Sequence, residues 1–443
     1  MSQNAPLSDE PVPDIATLDD LTEHLKAAAQ VELSTIPLYL YATYSIKTRG
    51  YSQWAAGEPA QRTMIGIAIE EMLHLTLVRN LLVAIGSGDK VRFYSESFIP
   101  KYPAPMLMRT PELMLALRRM SSEQVDTFIG IEKPEQAELM AESIRPYHSL
   151  GEFYERIEKG IKLLSSEDVK PENRIDWNAA RERLWKFQYH RGYWNQNGGS
   201  DQPLLIMDED SALQAMEIIV DQGEGARGDH GLLPDPIVRT DDFPPQELGK
   251  WQASHYTKFS DIKKGLNGIG VVQDDNGKQK FTIDSPDVIW PVMPDPDIDK
   301  LVEGRPVRDL MVLSNAAYCY VLALLDAIYR EPMEAIDPKD TEPFRTSRRY
   351  GLERSFVAVM QGVLYPIADL LVRTPLTAED LKAAPTKPVH AGPPFQYYAF
   401  TKQPQAELLE MCNALIPYYP ALGGDDGVQR QIALLPEVDL PES

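Results

Sequence analysis

The sequence predicts a mainly α-helical protein: a bundle of four long helices with additional helices and one small β-hairpin. Three observations lead there. Long stretches repeat their apolar residues at intervals of three and four, as a helix with one buried face does. Proline- and glycine-bearing connections separate these stretches. One short segment, residues 270–283 containing VVQDDNGKQKFTI, offers an Asn276–Gly277 turn between two strand-like runs.

Composition bounds what the helices can do. A chain of 443 residues with 43% apolar content can bury an ample core, as one large domain or two to three ordinary ones. The formal net charge of −22 disfavours nonspecific binding to nucleic acid or to an anionic membrane. Cys319 and Cys412 are the sole cysteines and lie far apart, so neither a disulfide scaffold nor a thiolate zinc site is expected, and a cytoplasmic location fits. The polar, proline-rich N-terminus carries no secretory signal pattern. Leu310–Leu325 is short for a membrane span and contains Asn315 and two tyrosines, which favours a buried helix.

Residues 1–16 read as a loose arm, followed by a bundle over 17–265. Thr17 or Asp19 is positioned to cap a first helix running from Leu18 toward Ser45. Leu21, Leu25, Ala28, Glu32 and Ile36 share one face of it, which places a carboxylate in an apolar stripe. Pro37 cannot donate to the carbonyl of Leu33, so a bend or local unwinding is expected one turn beyond Glu32. The second helix covers about 60–85 and ends near Gly86 and Gly88. In it Met64, Glu71 and Val78 follow one line and Ile67, His74 and Leu81 the adjacent one, so a carboxylate and an imidazole stand where core side chains belong. A metal ion is one way to hold such a carboxylate charged; a hydrogen-bonded His–Glu pair is another.

Residues 93–110 are expected to be irregular, with Pro111 opening a short helix over 111–120. A long helix over 137–165 presents Ile144, His148, Glu152 and Glu155 on one face, and periodicity does not choose between Glu152 and Glu155 as the inward acid. An amphipathic piece over 176–195 carries Trp185, Tyr189, His190, Tyr193 and Trp194, best explained by packing. The fourth long helix, after Asp208–Asp210, aligns Leu213, Glu217, Val220 and Glu224, with Gly223 and Gly225 marking its end. A further helix holds His255. Residues 266–306 form the hairpin and a proline-rich connection, and 307–443 a C-terminal helical extension with helices from Val307, over 355–372 with a break at Pro366, and over 404–418.

Several helices each placing an acid toward a shared interior meet the requirement for a dinuclear iron or manganese site, in which hard carboxylate oxygens bridge the ions and imidazoles complete the ligand set. Five segments carry a more specific signal: TEHLKAAAQVELSTIPLYLYATYSI at 22–46, IAIEEMLHLTLVRNLLVAIG at 67–86, SLGEFYERI at 149–157, IIVDQGEG at 218–225 and SHYTKFSDI at 254–262. In this order they resemble the ferritin-like domain of iminophenyl-pyruvate dimer synthases of violacein-type and related indolocarbazole pathways, over roughly residues 17–330. The resemblance implies a ferritin-like four-helix bundle whose metal ligands fall here on Glu32, Glu71, His74, Glu152, Glu224 and His255, and it selects Glu152 over Glu155. The chain departs from the usual ferritin-like pattern because its fourth helix lacks a second Glu-x-x-His: EIIV stands at 217–220 and EGAR at 224–227. His255 would have to stand in, and Glu217 remains a candidate ligand or a partner behind one.

The expected function is a non-haem dimetal oxidoreductase, with two iron ions or manganese in their place, that uses oxygen or peroxide on a small organic substrate. By the resemblance, that substrate is an aromatic amino-acid-derived imine. The expected partners are this substrate, an electron donor and further copies of the chain, with no nucleic acid and no membrane. Tyr39, Tyr41 and Tyr44 could line the cavity or carry electrons, although tyrosines at such spacing are more often core or rim residues. The competing functions are iron storage or detoxification, and a metal-free structural or partner-binding helical protein.

Overall fold

The computed structural model describes residues 15–47, 58–107, 109–134, 147–189, 204–225, 253–265, 271–273, 279–281, 283, 285–333, 347–383 and 387–440. Four helices form the bundle: α1 (Leu18–Tyr44), α2 (Glu58–Ala84), α4 (Leu150–Ser165) and α6 (Glu209–Gly223). α1 packs along α2, α4 packs along α6, and α1·α4 and α2·α6 contacts close the square. Between and after them lie α3 (Ser122–Ile131), α5 (Trp177–Glu182) and α7 (His255–Lys264), with α3 and α7 packed together beside the bundle.

Local chemistry sets the ends of these helices. The Thr17 hydroxyl accepts from Asp20 N–H at 3.1 Å while Asp20 accepts from Thr17 N–H at 2.9 Å, a reciprocal capping box that starts α1. α1 then continues as α-helix through Pro37 to Tyr44, so the expected unwinding does not occur. α2 ends where Gly86 takes φ +85°, a left-handed conformation that glycine adopts without penalty, and Ser87 N–H reaches back to Leu82 O at 2.8 Å.

Two helix expectations require correction. Residues 111–120 do not form a helix: β2 (Met114–Leu115) pairs antiparallel with β1 (Ala104–Pro105), and the helix starts later, at Ser122, under a Ser121 hydroxyl that accepts from Gln124 N–H. The helix expected over 137–165 begins only at Leu150. Ser149 caps it, and Tyr147 is engaged in a bridge to Arg109. Residues 135–146 lie outside the described residues, as does His190. The amphipathic piece expected over 176–195 is helical as α5 plus a tight turn at Leu184–Phe187.

The small hairpin is present, with β3 (Val271–Gln273) antiparallel to β4 (Gln279–Phe281). Beyond it come α8 (Pro306–Arg330), α9 (Arg348–Val359), a single π-turn at Met360–Leu364, α10 (Tyr365–Arg373), α11 (Pro404–Leu415) and α12 (Val428–Ala433). Pro366 closely follows the π-turn inside one helical run from Arg348 to Arg373, and the widened turn accommodates a residue without an N–H. α8 is long and apolar enough to cross a membrane, but 89% of its most apolar window is buried within the protein; for the Arg348–Arg373 segment that share is 39%. These helices share one continuous apolar core with the bundle. Asp326 of α8 ties them together by accepting from Phe93 and Tyr94 N–H at 3.0 and 2.9 Å.

Candidate metal centre

Glu32 on α1 and Glu71 with His74 on α2 meet inside the bundle, each no more than 3% exposed. Periodicity put them there: Leu21, Leu25 and Ala28 on α1, and Met64, Ile67, Val78 and Leu81 on α2, are buried on the same faces. His74 Nδ1 lies 3.5 Å from Glu32 Oε2 and 3.8 Å from Glu71 Oε2. On the other side of Glu71, His255 at the first position of α7 brings Nδ1 to 2.9 Å from Glu71 Oε1 and 3.7 Å from Glu132 Oε1. The result is two triads, Glu32–Glu71–His74 and Glu71–Glu132–His255, each with its ligand atoms within 4.8 Å of one another and with Glu71 common to both.

The structure sorts the six residues expected from sequence. It brings together Glu32, Glu71, His74 and His255. Glu224 caps the C-terminus of α6 and lines the same small cavity, but its Oε1 accepts from Gly151 N–H at 2.8 Å, so it faces the start of α4 and belongs to neither triad. Gly151 permits this approach; a Cβ there would stand 2.4 Å from Glu224 Oε2. Glu152 stands outside both triads. Its carboxylate turns back over the first turn of α4, accepting from His148 N–H at 2.7 Å and pairing with Arg156, because at this position the orphan amides of a helix start compete for an acid. Glu217 is exposed and lines a different, outer cavity.

Glu132 takes the place expected of Glu152. It follows the last residue of α3 as its C-cap and is 1% exposed. A sequence signal existed: Ser121-x-x-Gln124 ahead of Val125, Phe128 and Ile131 is a capped amphipathic helix, and Glu132 lies four residues beyond Phe128 on the same buried face. Glu70 was also missed because it is adjacent to Glu71 and so leaves the apolar stripe. Its Oε2 sits 2.9 Å from His255 Nε2 and 2.5 Å from Lys258 Nζ.

Hydrogen bonds orient every member. Thr35 donates to Glu71 at 3.0 Å, Tyr39 donates to Glu132 at 2.6 Å, and the Tyr154 hydroxyl donates to Glu32. Of the three tyrosines on α1, Tyr39 therefore reaches the cluster, whereas the Tyr41 hydroxyl donates to Met293 O and Tyr44 packs beside Tyr365. Burial works to raise Glu32 and Glu71. For Glu71 the two imidazoles outweigh burial and hold it below the ordinary carboxylate range, while Glu32 stays raised. Burial also works against charge on the imidazoles, yet the surrounding carboxylates raise both His74 and His255. Glu224 is pushed up to about 7, mainly by burial.

The donor set fits metal ions. Each imidazole presents Nδ1 to the carboxylates and Nε2 to an acceptor: Gln222 Oε1 at 2.9 Å for His74, and Glu70 for His255. Protons held on Nε2 leave both Nδ1 lone pairs directed at the cluster, the arrangement a ligating histidine needs. His255 Nδ1 is buried and makes no hydrogen bond of acceptable geometry despite its closeness to Glu71. A shared carboxylate between two nitrogen-bearing triads suits a pair of hard, oxygen-preferring cations. The cavity among these groups is about 10 Å³, room for about one water-sized species and not for an organic molecule.

Fold and cluster define a class, the helical bundles with carboxylate–histidine clusters in their interior. The Ferritin-like family model matches residues 25–264, more than half of the chain, and the chain belongs to that family. It is 26% identical over 422 residues to dichlorochromopyrrolate synthase of Lentzea aerocolonigenes, covering 86% of this chain and 37% of that protein. To the 2-imino-3-(indol-3-yl)propanoate dimerase of Chromobacterium violaceum it is 24% identical over 396 residues, covering 83% and 34%. The chain thus spans about a third of the length of these curated relatives. A crystal structure of a ferritin-like protein from Caulobacter vibrioides superposes over 77% of this chain and 96% of that one, with 20% identity and a TM-score of 0.42, too loose for residue correspondences.

Proposed function

We propose that the chain is a dimetal oxidoreductase whose substrate is an aromatic amino-acid-derived imine, and that the reaction couples two such imine-bearing acids through a new bond, the two hydrogens lost being taken up by oxygen or peroxide. The observation that carries the metal reading is Glu71, which stands in both triads at once. The substrate rests on likeness to relatives named for an imine dimerisation and for a chromopyrrolate synthesis.

Glu32, Glu71 and His74 would hold one ion and Glu71, Glu132 and His255 the other. Iron or manganese bound there supplies redox change at open coordination positions. The protein's own residues then have definite tasks. Gln222 and Glu70 keep the imidazole protons on Nε2. Tyr39 and Tyr154 each place a hydroxyl proton on a carboxylate of the cluster. Leu150, Ile219 and Val220 wall the cavity and leave no room for an organic molecule, so a substrate meets the cluster from outside that wall.

Oxygen consumption by the iron-loaded protein, measured as the excess over that of the amino-acid oxidase alone while the oxidase generates the imine of an aromatic amino acid, tests the proposal. Consumption that depends on the imine supports it. Uptake of many irons per chain with no imine-dependent turnover identifies a storage protein instead.

A further inference from the structure

A second cavity, of about 470 Å³, opens where the end of α2 meets the turn at Leu184–Phe187 and the end of α8. Val83, Leu184, Phe187 and Tyr329 give it apolar walls, and Arg79 lies in it. Arg79 stands eight residues beyond Glu71 on α2, about 12 Å along the helix axis, so this cavity is apart from the carboxylate cluster.

Arg79 is 5% exposed, and its guanidinium sits 4.8 Å from the centre of the Tyr329 ring. Its Nε and Nη1 are buried without a hydrogen-bond partner. Burial works against its charge, and Tyr329, Asp326 and Asp89 oppose that effect from a distance. Asp326 makes no hydrogen bond to it; its two oxygens accept from Phe93 and Tyr94 N–H. The other deeply buried arginine shows what structural duty looks like: Arg349 donates to Glu353, Glu331 O and Gln188 O. A buried guanidinium with unmade bonds is costly unless something else meets it.

We propose that this cavity is a second binding site, for a small organic monocarboxylate with an apolar body, anchored by the Arg79 guanidinium. A planar fork of N–H donors matches a carboxylate in two parallel hydrogen bonds. The volume is that of a small-molecule site, and its walls suit a ring or a branched chain. Arg92 and Arg330 also line the cavity, at its exposed edge, while Asp89 and Asp326 stand beside the buried arginine and disfavour a dianion such as phosphate there. Gly88 contributes by its size: a Cβ there would press on Val83 at 3.0 Å and on Arg79 Nη1 at 3.3 Å.

The test is titration of the full-length metal-loaded protein with 3-phenylpropionate, with 3-phenylpropanol as its neutral counterpart, and with inorganic phosphate, followed by ligand-observed NMR. The expected result is saturable binding of 3-phenylpropionate, with the alcohol and phosphate weaker by at least about tenfold. Arg79→Met should weaken 3-phenylpropionate by at least about tenfold while metal content stays unchanged. Leu184→Trp, which fills the cavity from one of its apolar walls, should do the same, and it decides the matter if Arg79→Met fails to fold. No saturable binding of 3-phenylpropionate, phosphate binding as tightly, or binding that survives the wall substitution would each overturn the proposal.

Discussion

Glu71 Oε1 lies 2.9 Å from His255 Nδ1, a pair that, with Glu70 on the other side of the imidazole, joins the bundle to α7 at the buried cluster. α7 starts there because Ser254 caps it, its hydroxyl accepting from Thr257 N–H, so the imidazole enters from the first turn of the helix. The fourth bundle helix needs no histidine of its own.

Removing the shared carboxylate should cost both ions, and removing one imidazole should cost one. In elemental analysis after anaerobic iron loading, Glu71→Ala should fall from about two ions per chain toward zero. His255→Ala should retain about one, held by Glu32, Glu71 and His74. Equal losses in the two variants would contradict the division into triads.

Glu132 and Glu152 make opposite forecasts. Glu132→Ala should lower metal content and leave the buried Tyr39 hydroxyl without its acceptor, a cost of about 1–3 kcal/mol in denaturant unfolding. Glu152→Ala should leave metal content unchanged and cost about 1 kcal/mol, through loss of the amide and Arg156 contacts at the start of α4. Metal loss in Glu152→Ala alone would restore the sequence-based assignment.

Gln222→Leu removes the acceptor from His74 Nε2 without touching a ligand. Metal affinity, read by competition with a chelator, should weaken by roughly 10- to 100-fold. Unchanged affinity would show that Gln222 does not fix the imidazole.

The C-terminal helices should matter through packing, not metal. Arg349→Met leaves Glu353, 1% exposed, without its cation and should destabilise by about 3–5 kcal/mol. The double variant Arg349→Met with Glu353→Leu should recover much of that loss in urea unfolding. Metal content of the folded protein should not change in either.

Much of the fold was legible because apolar periodicity in α1, α2 and α6 is long and uninterrupted, and Glu32, Glu71 and His74 stand out as polar residues inside it. Glu152 misled because the same residue type serves a helix start and a metal, and periodicity places it on a face without saying which way the carboxylate turns. Glu132 was hidden by a helix boundary placed around Pro111, which put α3 eleven residues too early and left residue 132 outside any element. Glu70 was hidden by its neighbour, since only contact with α7, remote in sequence, reveals it.

Anomalous diffraction at the iron edge, on crystals of protein loaded anaerobically with iron, tests the central claim most directly. The result expected is two peaks, one among Glu32, Glu71 and His74 and one among Glu71, Glu132 and His255. No peak inside the bundle after loading, or a single peak that Glu71 does not touch, would contradict it.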